Sequence, residues 1–117
     1  MTPPSKINLN KAKTVLKVTF DDIDYDLSAE FLRVYSPSAE VVGHGPGQET
    51  LQVGKEGVTI ANIQPTGNYA IVLFFSDGHD TGIYSWSHLK NLAMNMESLW
   101  PEYLQKLKDA GHIHSEH

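Results

Sequence analysis

The chain is 117 residues long with a net charge of −5, 40% apolar and 20% charged residues, and no cysteine. That is one ordinary globular domain, too short for two. It excludes disulfides, thiolate nucleophiles, tetrathiolate zinc and cysteine-ligated iron–sulfur clusters.

Residues 1–12 open with Pro3-Pro4 and polar residues, which predicts a loose N-terminal arm. Thr14 to Phe20 alternates, with Leu16, Val18 and Phe20 on one face, and Ile23, Tyr25 and Leu27 return after the Asp21-Asp22 turn. Ser28 is placed to cap a short helix from Ala29 to Arg33 that ends before Pro37. The middle stretch, VVGHGPGQETLQVGKEG, is glycine-rich and reads as loop with at most a short strand near Leu51 to Val53. Val58 to Ile63 reads as a strand closed by Pro65 and the Thr66-Gly67-Asn68 turn.

Ala70 to Phe75 is an apolar strand that runs into Asp77-Gly78, resumes at Ile83 and Tyr84, and gives way to a helix capped by Ser85 or Ser87. Leu89, Leu92, Ala93 and Met96 give that helix an apolar face. A second helical segment is predicted from Ser98, with Pro101 in its first turn and Gly111 as its stop. Tyr69, Trp86 and Trp100 are expected in the core. The main domain thus spans 13–111, and residues 112–117, HIHSEH, are expected to be disordered and to chelate metals only adventitiously.

The two halves share a plan. VLKVTFDDIDYDLSAEFLR and AIVLFFSDGHDTGIYSWSHLK both read strand, acidic turn, strand and serine-started helix, with Phe20 opposite Phe75 and Asp22 opposite Asp77. The second copy carries two extra residues before Leu89, the counterpart of Leu32. The expected class is α+β: a small antiparallel β-sheet built from two strand–turn–strand–helix units, with the helices packed on one face.

Candidate functional residues gather at two glycine-hinged places. His79 stands on the rim of the second hairpin between Asp77 and Asp80, and His44 lies in Gly43-His44-Gly45-Pro46-Gly47. The residues leave two readings of these imidazoles open. One is a ligand- or partner-binding surface including His44, Gly45, Arg33, Asp77 and Tyr84. The other is a site for iron or zinc made of His44, His79 and Asp80, two imidazoles and a carboxylate. No G-x-S-x-G elbow or glycosidase-type carboxylate pair is present. The nine basic residues are dispersed, so no nucleic-acid partner is expected. No apolar run approaches the roughly 20 residues that span a bilayer. The polar start lacks the apolar segment of a secretory signal, which makes a cytoplasmic location the expectation.

Several ordered strings, FLRVYSPSAEVVGHGPGQ, IQPTGNYAI, FSDGHDTGIYSW and LW-x-x-YL, resemble the gamma-butyrobetaine hydroxylase-like N-terminal domain family from about Leu16 to Gly111. In the oxygenases that give the family its name, this module precedes a separate domain holding iron and 2-oxoglutarate. No counterpart of that domain occurs among these residues, so oxygenase chemistry is not implied. The resemblance implies a zinc site of three cysteines and one histidine in those oxygenases. The thiolate positions correspond to Ser36, Ser38 and Val41 and the histidine to His79, so that site does not carry over. The module also occurs at the end of some ATPase-type iron–sulfur cluster carriers, and a unit found beside different catalysts implies a recruiting role. The expectation is a non-enzymatic accessory module that docks an unidentified partner protein or a ligand, with metal-cofactor handling as the alternative.

Overall fold

The structure, a computed structural model, describes residues 3–43 and 49–114. The chain forms β1 (Lys6–Leu9), β2 (Val15–Phe20), β3 (Ile23–Ser28), α1 (Ala29–Val34), α2 (Ala39–Val42), β4 (Ile60–Thr66), β5 (Ala70–Phe75), β6 (Ile83–Ser85) and α3 (Trp86–Asp109). The strands make two antiparallel sheets, ordered β1-β2-β3 and β4-β5-β6. The α+β class and the repeated unit are as expected, and each unit gains a leading strand that makes its sheet three-stranded.

The correspondence between the halves extends to register. Val15 pairs with Ser28 and Leu16 with Leu27 in the first sheet; Ala70 pairs with Ser85 and Ile71 with Tyr84 in the second. Each serine ends its strand and caps the following helix, Ser28 Oγ accepting from the Phe31 N–H and Ser85 Oγ from the His88 N–H. A side-chain oxygen there satisfies a helix donor that has no partner within the helix. Leu16, Val18 and Phe20 from β2 meet Ile71, Leu73 and Phe75 from β5 in one core, closed by Leu32 from α1 and Leu89 from α3.

Four expectations change. The N-terminal arm contains β1, whose Lys6 to Leu9 pair with Thr19 to Leu16; Asn10 secures the connection by accepting from the N–H groups of Thr14 and Val15. β4 runs through Pro65 instead of stopping before it, because β4 is an edge strand and a missing N–H there leaves no neighbour unpaired. α3 is one helix that includes Pro101. Leu89 and Leu92 before the proline, and Tyr103 and Leu107 after it, are all buried on the same body. That packing outweighs the roughly 3 kcal/mol that an interior proline costs. Tyr69, expected in the core, is 59% exposed.

The end of α3 departs from expectation as well. Gly111, at φ 83°, lets the His112 N–H reach the Leu107 carbonyl and the Gly111 N–H reach Lys108, the paired bonds of a Schellman turn. The chain turns back on itself, and His114 lies against the Trp100 ring and 2.7 Å from Glu30. So His114 packs on the body where a frayed tail was expected, while His112 and Ile113 stay exposed; residues 115–117 lie outside the described residues.

Candidate functional site

The two hairpins differ where the second carries its extra residues. In the first, Phe20 pairs directly with Ile23 across Asp21 and Asp22, both at positive φ, the tight turn that matches strand twist. In the second, β6 pairs only with residues 70–72, so residues 76–82 leave the sheet as a loop. That loop folds against the corner between α1 and α2 and buries His79, which is 6% exposed. The imidazole expected on the hairpin rim is therefore inside the protein.

Its partners use both ring nitrogens. His79 Nε2 is 2.8 Å from Ser36 Oγ, and Nδ1 is 3.1 Å from Glu40 Oε2. The carboxylate can only accept, which places the proton of the neutral ring on Nδ1 and makes Nε2 the acceptor of the Ser36 hydroxyl. Burial, and then the Arg33 charge, hold the imidazole below its ordinary pKa against the opposing pull of Glu40 and Asp77, so the neutral form is favoured. Thr81 donates to Glu40 at 3.2 Å and lies 2.7 Å from Ser38 Oγ, while Ser38 caps α2. Gly82 permits this approach: a Cβ there would lie 2.5 Å from Ser36 Oγ.

Arg33, Asp77 and Lys55 form a second cluster beneath the same loop. Asp77 Oδ2 accepts from Arg33 Nε at 2.9 Å and from Lys55 Nζ at 2.8 Å, and Oδ1 accepts from the His79 N–H at 3.1 Å. Burial alone would raise the Asp77 carboxyl, but Lys55, that N–H and Arg33 outweigh it and bring the pKa down to about 2. Arg33 is buried, and its Nη1 has no hydrogen-bond partner among the described residues.

These positions redraw the candidate surface. Tyr84, read as a binding residue, is a core residue with no exposure, and its hydroxyl donates to the Leu32 carbonyl. Arg33 is turned inward onto Asp77. Asp80 is exposed on the loop. His44 and Gly45 lie outside the described residues, so the set of His44, His79 and Asp80 is not described as a whole. A metal at His79 would have to displace Ser36 or Glu40. Nor do the residues fit the thiolate zinc of the oxygenases: Ser36 and Ser38 present hydroxyls already engaged in hydrogen bonds, and Val41 has no donor atom.

Sequence reasoning missed Glu40 and Thr81, and met Ser36 and Ser38 only as replaced ligands. The available signal was Ser38 ahead of Glu40, a capping residue and a first-turn acid just before the stretch read as loop. The order Ser36, His79, Glu40 is that of an acyl-transfer triad, but its exposure is reversed. The hydroxyl is fully buried and the carboxylate side chain is 66% exposed, so no carbonyl can approach the oxygen. As arranged, the relay fastens α2 to loop 76–82. Beside it a hollow of about 330 Å³ opens, bordered by Val34, Val41, Val42, Leu51, His88 and Tyr103. Tyr35, on the same border, has its phenol pushed up to about 12 by burial and then by Glu102, and donates to the Leu99 carbonyl at 2.7 Å.

Residues 7–90 match the family model described as gamma-butyrobetaine hydroxylase-like, N-terminal. No curated protein matches the chain. Two proteins with NMR solution structures are similar. One is 47% identical with a TM-score of 0.84, covering 96% of this chain and 89% of its own. The other is 41% identical with a TM-score of 0.79, covering 100% and 93%. A crystal structure of a protein of unknown function from Acidithiobacillus ferrooxidans, assigned to the DUF971 family, is 36% identical with a TM-score of 0.62 over 77% of this chain and 91% of that one.

Proposed function

The chain belongs to the gamma-butyrobetaine hydroxylase-like N-terminal family, and from that premise we propose that it is a non-enzymatic docking module that receives a partner protein at the hollow between α1, α2 and α3. The observation that carries this reading is the hollow itself, about 330 Å³ beside a surface held in place by the Ser36–His79–Glu40 relay. Its apolar border is suited to an aromatic or aliphatic anchor side chain, and Glu49 and Lys106 on the same border offer charge to a polar rim. Val42, 44% exposed, stands at its edge. In this reading His79 gives the surface its shape and does not touch the partner. The occurrence of similar modules beside different catalysts supports recruitment over catalysis.

The test uses the near-symmetry of the molecule. A photo-crosslinking residue at Val42 is compared in cells with one at Ile23, an apolar site on the first hairpin that is 55% exposed. The expected result is one discrete adduct from position 42 that is lost when Leu51→Trp fills the hollow. Identical adducts from both positions, or an adduct indifferent to Leu51→Trp, would overturn the reading.

A further inference from the structure

The chain turns back after α3 for a reason that the docking surface does not use. His114, Glu30 and Glu56 come from three separate places: the returning segment, the first turn of α1 and the turn that precedes β4. One ligand atom from each lies within 4.8 Å of the others. From this the geometry points to a divalent metal site of one imidazole and two carboxylates, for which zinc is the best-matched ion. Zinc takes nitrogen at about 2.0–2.1 Å and carboxylate oxygen at about 2.0–2.2 Å, so around a tetrahedral ion its ligand atoms stand about 3.3–3.6 Å apart and a cluster within 4.8 Å must close by about 1 Å. Three protein ligands leave a fourth position for water.

Two observations favour an ion over a bare ion pair. The side chains are set into the body, with His114 14% and Glu30 11% exposed, so the cluster is not a solvated surface patch. A second carboxylate, Glu56, stands with its ligand atom within 4.8 Å of both partners, one more acidic group than a single imidazole can pair with. Two carboxylates this close repel in a partly desolvated site, and a dication between them reverses the sign of that interaction. The ion would clasp the end of the chain to α1, with the Trp100 ring, 5.6 Å from the imidazole, covering one side.

The test is zinc chloride titrated into the metal-stripped full chain, followed by calorimetry and by the ring resonances of His112, His114 and His117. One zinc per chain is expected, with His114 shifting. His114→Ala and Glu56→Gln should each weaken binding about tenfold or more, about 1.4 kcal/mol or above. Glu56→Gln keeps size and shape, and its fold is checked by its amide spectrum. His112→Ala with His117→Ala should leave affinity within about twofold. Three results would overturn the site: no binding at about 1 mM zinc, binding that tracks His112 and His117, or wild-type affinity in Glu56→Gln.

Discussion

The first and second hairpins start from the same plan and end in different chemistry. Both set a serine opposite the first residue of the preceding strand, and both bury a phenylalanine at the end of that strand, Phe20 and Phe75. The first closes on Asp21 and Asp22 in a turn at the surface. The second withholds half of its return strand from pairing and uses the released residues to bury His79 and to engage Arg33 through Asp77. Two added residues in a loop are cheap in entropy. What they give the second half is a set of contacts with the α1–α2 corner, forty-odd residues earlier in the chain. The scaffold is common to both halves; the contacts that bury His79 against the α1–α2 corner are made only by the longer second hairpin.

Equivalent substitutions in the two halves test that division. The largest effect should come from Asp77→Ala, which leaves the buried Arg33 guanidinium without its carboxylate. Breaking such a pair costs about 3–5 kcal/mol in buried settings, and the lower end is expected here because the Asp77 side chain is 25% exposed. At the counterpart, Asp22→Gly should change stability by less than about 1 kcal/mol, since φ there is 65° and glycine accepts it. Urea unfolding of both variants measures the contrast; equal losses would mean that the hairpins are equivalent after all.

Next in size is Gly82→Ala. The added methyl would sit 2.5 Å from Ser36 Oγ and 3.1 Å from the Tyr84 ring, and both neighbours are fully buried. The loop must move off the corner, at about 1–3 kcal/mol, and the His79–Ser36 hydrogen bond should be lost with it. The imidazole nitrogen shifts report the second effect separately from the first. Smaller again, and matched, are Ser28→Ala and Ser85→Ala. Each removes a helix cap worth about 1 kcal/mol. Similar values from the two would show that the shared plan is energetically as well as geometrically repeated.

The shared plan was the legible portion. Period-two alternation in β2, the apolar run of β5 and serines ahead of apolar helical faces are local signals, and each predicted an element that formed. The rest depended on distant partners. β1 is an alternating strand of only four residues, Lys6-Ile7-Asn8-Leu9, and only the β2 edge makes it pair. Pro101 looked like a helix start because the burial of Leu92 and Tyr103 on one body is not visible in sequence. His79 looked exposed because its turn residues announce a hairpin and say nothing of where the extra residues fold. For His114 a local clue existed: glycine after the last helical residues permits the turn that brings the chain back, but Glu30 is its partner only in three dimensions.

The finest distinction between the halves is their response to acid. His79 has its pKa held below 6.5 in the folded protein, so the unfolded chain takes up a proton first as pH falls. Stability contributed by the neutral ring is complete above about 6.5 and declines on acidification until the folded imidazole also protonates. Asp77 acts lower on the scale. Its carboxyl, at about 2 in the fold, contributes stability that is full above the ordinary carboxylate value and is lost as pH falls toward 2. Each group contributes at most about 1.4 kcal/mol per pH unit within its own window. His79→Gln should therefore flatten the stability curve just below pH 6.5 while leaving the acidic decline, and Asp77→Asn should do the reverse. Because both variants lower stability overall, the slope against pH is the quantity to read. If the slope near pH 6 survives His79→Gln, another histidine carries it, and the buried relay of the second hairpin is not the feature that sets it apart from the first.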